Sequence, residues 1–269
     1  MSPTCPTCWP VRPDWPREAR LLVAAASLLT RIPLPAVRHD PDWLPRSVKY
    51  LPLVGAAVGL AGAAVLLVAA YVWPRPIPEI LALASGLALT GALHEDGLAD
   101  TCDGLGGATP EARLAIMKDS RLGTFGALAL GVALAIQLGS LTALPPAEGM
   151  AAWVAAQAGA RLPPALLLAT QPYAGTPATA KLAAAPDRPC RWEVAVAAAF
   201  AAGAMLPLLA LAPGRALAAA IVGAAAAAWF ARRTCRALGG QTGDVLGAAA
   251  VVFTSGFLLG AAVTIGASG

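Results

Sequence analysis

The residues best suited to chemistry lie in one stretch, HEDGLADTCDGLGG, which spans residues 94–107 and holds four of the chain's 15 acidic residues. On an α-helix, Asp96, Asp100 and Asp103 fall within an arc of about 60°, because successive residues are rotated by about 100°. Glu95 points about a quarter turn away from that arc. The apolar run before His94 contains no helix breaker, so the pattern predicts one helix that continues through the acidic motif.

Three like charges on one helix face repel one another, and no lysine or arginine lies within four residues to offset them. A carboxylate at membrane depth costs a further ~2.5–3.5 kcal/mol. A divalent cation would compensate for both effects, and Mg²⁺ suits oxygen ligands, typically one or two carboxylates together with substrate phosphates. We therefore expect Glu95, Asp96, Asp100 and Asp103 to hold Mg²⁺. The alternative is a helix end whose carboxylates face water.

Other residues of the motif have expected roles around this metal. Gly97 and Gly104 lack side chains, so we expect them to let a bulky substrate approach the helix backbone. His94 is expected to be a hydrogen-bonding neighbour and not a ligand, because Mg²⁺ avoids imidazole.

A second cluster, IMKDSRLGTFG, lies at residues 116–126 before the next apolar run. Lys118 offers a point charge and Arg121 a bidentate fork, which together suit a polyphosphate. Ser120 precedes the apolar run and could cap that helix, whose N-terminus would itself favour an anion. The alternative for the two cations is simple anchoring of the chain on the cytoplasmic side of a membrane.

Two further residues are candidates for substrate binding. Asp244, in the loop sequence GGQTGD at 239–244, could bind a metal or a hydroxyl group. Arg161 lies in the middle of an apolar run, where it is most simply an internal partner for one of these groups.

The composition indicates a membrane protein. Of 269 residues, 58% are hydrophobic and 13% charged, and the mean hydropathy is +0.67, whereas about a quarter of the residues of a soluble domain are charged. The fold class is therefore predicted to be all-α, a polytopic helical membrane protein with about seven spans (six to eight). We expect it to be surrounded by lipid and to have no nucleic-acid partner. The spans are expected near residues 51–73, 78–94, 122–144, 150–171, 192–211, 214–231 and 245–267.

The distribution of basic residues predicts the orientation of these spans. Sixteen of the 19 lysines and arginines lie in segments on one side, against two on the other, and Arg161 lies within a span. Because cytoplasmic loops are enriched in lysine and arginine, the N-terminus is predicted to be cytoplasmic and the C-terminus outside. The acidic motif and both polar clusters then converge at the cytoplasmic ends of spans.

The chain is expected to form one domain, residues 17–269, preceded by a disordered tail. Residues 1–16 contain five prolines, which defeat regular structure, together with Cys5 and Cys8. The apolar stretch 21–30 is flanked by Arg20 and Arg31 and is expected to be an interfacial or partly inserted helix.

A metal, two cations and a membrane pocket together imply group transfer at a phosphoanhydride, in which the protein mainly positions groups and neutralises charge. At these residues the sequence resembles the cobalamin synthase family, the adenosylcobinamide-GDP ribazoletransferases. The resemblance rests on five motifs in order: LLTRIPLP (28–35), YLPLVGAAVG (50–59), HEDGLADTCDGLGG, MKDSRLGTFG (117–126) and GGQTGDVLGA (239–248).

The resemblance implies a multi-pass bacterial inner-membrane enzyme, active on the cytoplasmic side, that uses Mg²⁺. Such an enzyme joins adenosylcobinamide-GDP to α-ribazole or its 5′-phosphate, giving adenosylcobalamin or its phosphate and GMP. Asp96 and Asp100 would then be catalytic, and Lys118 and Arg121 would steady the diphosphate. Other cobalamin-assembly enzymes are candidate partners.

Two other functions fit parts of the pattern. The sequence DGLADTCDG partly resembles the motif of CDP-alcohol phosphotransferases, but Asp100 stands where that motif has an arginine. A transporter could also place carboxylates in a membrane, but these are expected near the bilayer midplane between discontinuous helices, whereas the clusters in this sequence lie at one face.

Overall fold

A computed structural model describes residues 15–35, 42–175 and 188–264. Within these ranges the chain forms α-helices and one 3₁₀ helix, Val48–Tyr50. The helices are α1 (Trp15–Leu29), α2 (Trp43–Ser47), α3 (Leu51–Ala69), α4 (Ile77–Thr90), α5 (Leu93–Gly104), α6 (Pro110–Ile116), α7 (Thr124–Ala143), α8 (Pro146–Gly159), α9 (Leu162–Thr170), α10 (Arg191–Leu211), α11 (Pro213–Leu238) and α12 (Gly243–Ala261). The predicted all-α class is confirmed.

Five helical segments in the described ranges are long and apolar enough to cross a membrane: Trp43–Ala69, Thr124–Ala143, Arg191–Leu211, Pro213–Leu238 and Gly243–Ala261. A sixth is added if α4 and α5 form one bent span. The polytopic architecture is thus as predicted, whereas the count of five or six spans in the described ranges is lower than the expected seven. Two predicted spans, 78–94 and 150–171, are each divided into two helices in the structure.

The run 78–94 ends in a sharp break and not in a continuous helix. Gly91 and Ala92 both adopt left-handed backbone conformations, with φ of 65° and 55°, and α4 and α5 meet at 87°. The prediction that the acidic motif extends the preceding helix is therefore wrong. The left-handed Gly91 ends α4, as glycine commonly does at a helix C-terminus, and α5 starts in a new direction.

The run 150–171 is divided at Ala160 and Arg161 into α8 and α9. Proline is tolerated in the first turn of a helix but not in its interior. Pro163 therefore occupies the first turn of α9 and favours a new helix after the break. Neither piece alone reaches the length of a span.

Helix α12 is the centre of the bundle. Of its apolar stretch of 18 residues, 78% is buried inside the protein, against 17–44% for the corresponding stretches of the other four spans. It packs along α11 and also contacts α5, α7, α8 and α9. Small residues allow such close packing of membrane helices, and α12 supplies several of them.

One end of the bundle is joined by two ion pairs. Arg75 pairs with Glu79 and donates a hydrogen bond of 2.9 Å to the carbonyl oxygen of Leu144, which links the α3–α4 and α7–α8 connections. Arg215 pairs with Glu148 at 3.1 Å. These are the two arginines that the sequence assigns to the outer loops, and each is neutralised by a carboxylate.

The N-terminal region agrees in part with expectation. Helix α1 begins at Trp15, so it includes the last two residues of the expected tail. Lys49 pairs with Glu18 at 2.6 Å and ties α1 to the start of the first span. Residues 1–14, which contain Cys5 and Cys8, lie outside the described ranges.

Candidate active site

Helix α5, which carries the acidic motif, packs between α12 and α7. The crossing with α12 is tight: a Cβ atom on Gly247 would lie 3.2 Å from the Cα of His94. On the other side of the same contact, a Cβ atom on Gly97 would lie 2.7 Å from the carbonyl oxygen of Asp244. Glycine at both positions therefore lets the first turn of α12 approach α5.

The structure gives the two glycines in α5 a packing role, and their expected role toward a substrate stays a prediction. The backbone of Asp244 fills the space beside Gly97, and the side chain of Met117 fills the space beside Gly104. Both glycines therefore allow close packing of neighbouring elements against α5.

Four aspartates gather at this end of the bundle. The carboxylate of Asp100 is repelled by those of Asp96, Asp244 and Asp103, in that order of strength. The convergence of the acidic motif with the GGQTGD loop is thus confirmed. In the described ranges no lysine or arginine forms an ion pair with Asp96, Asp100 or Asp103.

The aspartate cluster is open, not a closed metal cage. Among the described residues, no three histidine, cysteine or acidic side chains are close enough together to surround a metal ion. Mg²⁺ does not need such a cage, because it commonly retains water and completes its coordination with substrate phosphates.

Asp103 has a structural role that sequence reasoning missed. One carboxylate oxygen accepts a hydrogen bond from the backbone N–H of Gly123 and the other from that of Gly126, each at 2.8 Å. A carboxylate at a helix N-terminus satisfies unpaired N–H groups and favours the helix dipole. Helix α7 is capped in this way by α5, and the expected cap, Ser120, is an exposed loop residue; that prediction is wrong.

Glu95 lies apart from the aspartates. It lines a cavity together with His94, Gln157 and Arg161, and no aspartate lines that cavity. Arg161, at the break between α8 and α9, is 3% exposed and attracts Glu95 electrostatically. Arg161 is thus buried near Glu95, and its predicted role as an internal partner stays a prediction. The cavity places Glu95 away from the other expected metal ligands.

The loop between α6 and α7 carries the predicted cations. Lys118 and Ser120 are exposed, and the Arg121 side chain is 87% exposed. The guanidinium of Arg121 forms a bidentate ion pair with Asp119, with a shortest distance of 2.5 Å, and holds the pKa of that carboxyl at about 2. The loop begins and ends next to α5, because Met117 covers Gly104 and Gly123 bonds to Asp103.

Sequence reasoning missed Arg31 as a candidate for the site. Its backbone N–H donates a hydrogen bond of 2.7 Å to the carbonyl oxygen of Leu89, and its side chain covers Gly91. The exposed Arg31 thus lies against the break that leads into the acidic helix, and no ion-pair partner for it is found in the described ranges. The signal was present in the sequence, because Arg31 belongs to the LLTRIPLP motif.

The GGQTGD loop is fixed to a second loop at the same end. The N–H of Gln241 donates to the carbonyl oxygen of Pro172 at 2.8 Å, and the N–H of Ala174 donates to that of Gln241 at 2.9 Å. Thr242 then caps α12, its hydroxyl accepting from the N–H of Val245. Asp244 is therefore held in the first turn of α12 by an ordered loop.

Comparison with known proteins agrees with this arrangement of motifs. The family model described as cobalamin-5-phosphate synthase matches residues 21–262. The adenosylcobinamide-GDP ribazoletransferase of Leptothrix cholodnii is 44% identical over 239 residues, covering 86% of this chain and 90% of the relative. Those of Azorhizobium caulinodans and Ralstonia nicotianae are 40% and 45% identical, covering 91% and 88% of this chain and 97% and 93% of their own lengths.

No solved structure shows a significant match to the chain. The family match extends from α1 to the end of α12 and includes every element that positions the aspartates. The chain therefore belongs to the cobalamin-5-phosphate synthase family.

Proposed function

We propose that this protein is a Mg²⁺-dependent transferase of the bacterial inner membrane that joins adenosylcobinamide-GDP to α-ribazole or α-ribazole 5′-phosphate. The products are adenosylcobalamin or its 5′-phosphate, and GMP. The proposal rests on one observation: Asp96, Asp103 and Asp244 all lie close enough to repel the carboxylate of Asp100, where the family's motifs meet. The reaction faces the cytoplasm, on the side predicted from the basic residues.

The residues present fit Mg²⁺. Their donors are carboxylate oxygens, which this ion prefers, and the mutual repulsion of the carboxylates lacks a compensating lysine or arginine at Asp96 and Asp100. One or two of Asp96, Asp100 and Asp244 would hold the ion together with water and substrate phosphates, and Asp103 can contribute only through the lone pairs that its two hydrogen bonds leave unused. When bound, Mg²⁺ supplies positive charge to the diphosphate oxygens.

We assign the binding of the substrate's diphosphate to the chain's cations. A hydroxyl oxygen of the ribazole substrate forms a bond to the phosphorus that carries the cobinamide, the bond from that phosphorus to GMP breaks, and the hydroxyl loses its proton. Lys118 and Arg121, on the loop that starts and ends against α5, would bind the phosphates of the GDP moiety. Binding of this kind orients the electrophile and stabilises the leaving phosphate.

The direct test uses purified protein in detergent with adenosylcobinamide-GDP, α-ribazole and Mg²⁺. We expect cobalamin and GMP in equal amounts, and we expect turnover to stop when EDTA removes the metal and to return when Mg²⁺ is added. Failure to form either product, together with turnover of a CDP-alcohol substrate pair, would overturn the assignment.

A further inference from the structure

The buried cavity between α5, α8 and α12 is a polar site that the proposed reaction does not use. Its walls combine aliphatic side chains and the ring of Trp153 with the polar side chains of Thr90, His94, Glu95, Gln137, Gln157, Arg161 and Thr254. Apart from Glu95, each of these polar side chains is more than nine-tenths buried. Such a set of polar groups within a helical bundle has to be satisfied internally.

Three residues that line this cavity have a buried polar atom without a hydrogen-bond partner in the described part of the chain: Trp153, at Nε1, and two charged residues. In the charged residues these atoms are the Oε2 atom of Glu95 and the Nε atom of Arg161. Arg161 donates one hydrogen bond, of 3.0 Å, from Nη1 to the Oε1 atom of Gln157. Glu95 and Arg161 attract each other, yet no nitrogen and oxygen of the two approach within ion-pair distance.

A group that bridges these two side chains must accept a hydrogen bond from Arg161 and donate one to Glu95. Water does both, and buried water typically bridges otherwise unsatisfied polar groups. The cavity has room for water but is too narrow for a nucleoside. A phosphate is excluded for a second reason, because the carboxylate of Glu95 would repel it.

The two residues also occupy related places in the fold. Glu95 lies in the first turn of α5, just after the α4–α5 break, and Arg161 forms the break between α8 and α9. A link between them therefore joins both broken helices and fixes the direction of α5. That direction determines where Asp96 and Asp100 point.

We propose that ordered water bridges Glu95 to Arg161, and that this buried pair positions α5 without binding either the metal or the diphosphate. The functional part of this inference rests on the proposed transferase activity. Glu95 and Arg161 are then positioning residues, and the metal is left to the aspartates.

A double-mutant cycle tests the pair. Glu95→Gln, Arg161→Gln and the double variant are compared for thermal unfolding in detergent, for kcat, and for the apparent KM of Mg²⁺ and of the GDP-bearing substrate. Removing one member of a buried pair strands the other charge, whereas removing both does not. Each single variant should therefore lower Tm and reduce kcat about tenfold or more, with both KM values unchanged. The double variant should recover most of the loss in each.

The partly exposed pair Glu148–Arg215, at the other end of the bundle, is the matched control, since such a pair should show less coupling than a buried one and no effect on kcat. The inference is overturned if the double variant is as impaired as the two singles combined, or if Glu95→Gln alone raises the Mg²⁺ requirement. The unfolding measurements need no turnover, so they judge the pair even if the proposed reaction fails. A cryo-electron microscopy map that resolves water should show density bonded to both side chains; a direct contact between them would contradict the bridge.

Discussion

One carboxylate oxygen of Asp103 accepts a hydrogen bond of 2.8 Å from the backbone N–H of Gly123, and the other accepts one of the same length from the backbone N–H of Gly126. One acidic side chain thus ends α5 and begins α7. Both glycines also make room for it, because a Cβ atom on either would touch the carboxylate. The relationship divides the acidic motif into residues that hold the fold and residues that are available for chemistry.

The first prediction concerns that division. Asp103→Asn leaves one acceptor oxygen and turns an NH₂ group toward a backbone N–H, so we expect a loss of about 1–3 kcal/mol in stability. The measurement is thermal or denaturant unfolding in detergent micelles. Unchanged stability in this variant would show that the two hydrogen bonds contribute little to the packing of α5 and α7.

The second prediction concerns Asp96 and Asp100. Replacing either by asparagine should abolish turnover and raise the Mg²⁺ requirement, while stability stays level or increases because like-charge repulsion is relieved. Glu111→Gln is the matched control, since that carboxylate is fully exposed on α6 at the same end of the molecule. Near-normal turnover in both asparagine variants would favour the alternative of a helix end whose carboxylates simply face water.

Some of this arrangement could be predicted from the sequence. The apolar runs located α3, α7, α10, α11 and α12, because a membrane span needs a long continuous stretch. The break at Gly91 and Ala92 could not, since alanine rarely adopts a left-handed conformation and its presence there carries no signal. The tertiary contacts of α4 and α5 impose that conformation.

The site shows the same limit residue by residue. Helical spacing correctly separated Glu95 from the aspartate face, because the angle between residues depends only on the helix. It could not show that Asp103 binds the start of α7 or that Gly97 faces Asp244. Those contacts depend on which helix packs beside α5, and only the fold determines that.

The third prediction tests the close contact of Gly97 with α12. Gly97→Ala would place a methyl group 2.7 Å from the carbonyl oxygen of Asp244, which is backbone and cannot rotate away. We expect destabilisation of about 1–3 kcal/mol together with loss of activity, because α12 carries Asp244. Gly131→Ala is the control: it has open space around it in α7 and should be neutral or stabilising by up to about 1 kcal/mol.

The fourth prediction is the orientation. Helices α8 and α9 together lead from the Glu148–Arg215 end of the bundle to the loop that bonds to Gln241, so we expect them to cross the membrane as one broken span. A reporter fused after Pro145, between α7 and α8, should then be periplasmic, and one fused after Gly240, between α11 and α12, should be cytoplasmic. The pairing of Arg75 with Glu79 and of Arg215 with Glu148 lowers the net charge of the outer end further. The opposite pattern would place the aspartates outside, away from cytoplasmic substrates, and would contradict the proposed mechanism.

The last prediction concerns Arg121, whose guanidinium is occupied by Asp119 in the absence of substrate. The pKa of Asp119 is lowered to about 2 by this hydrogen bonding. A carboxyl with a lowered pKa is ionised above that value, so the pair is complete at neutral pH and breaks only as the pH falls toward 2. A diphosphate must therefore displace Asp119 before it can bind Arg121.

Arg121→Lys keeps the charge but loses the bidentate fork. If the fork binds diphosphate, kcat/KM for the GDP-bearing substrate should fall about ten- to a hundredfold, as expected for loss of a charge-assisted hydrogen bond of about 1.5–3 kcal/mol. Asp119→Asn removes the competitor and should lower KM for the same substrate, while KM for α-ribazole stays constant in both variants. Lys118→Gln should behave like Arg121→Lys. Wild-type kinetics in Arg121→Lys would make this residue a membrane anchor, and the exposed Arg31 beside Gly91 would be the next cation to replace.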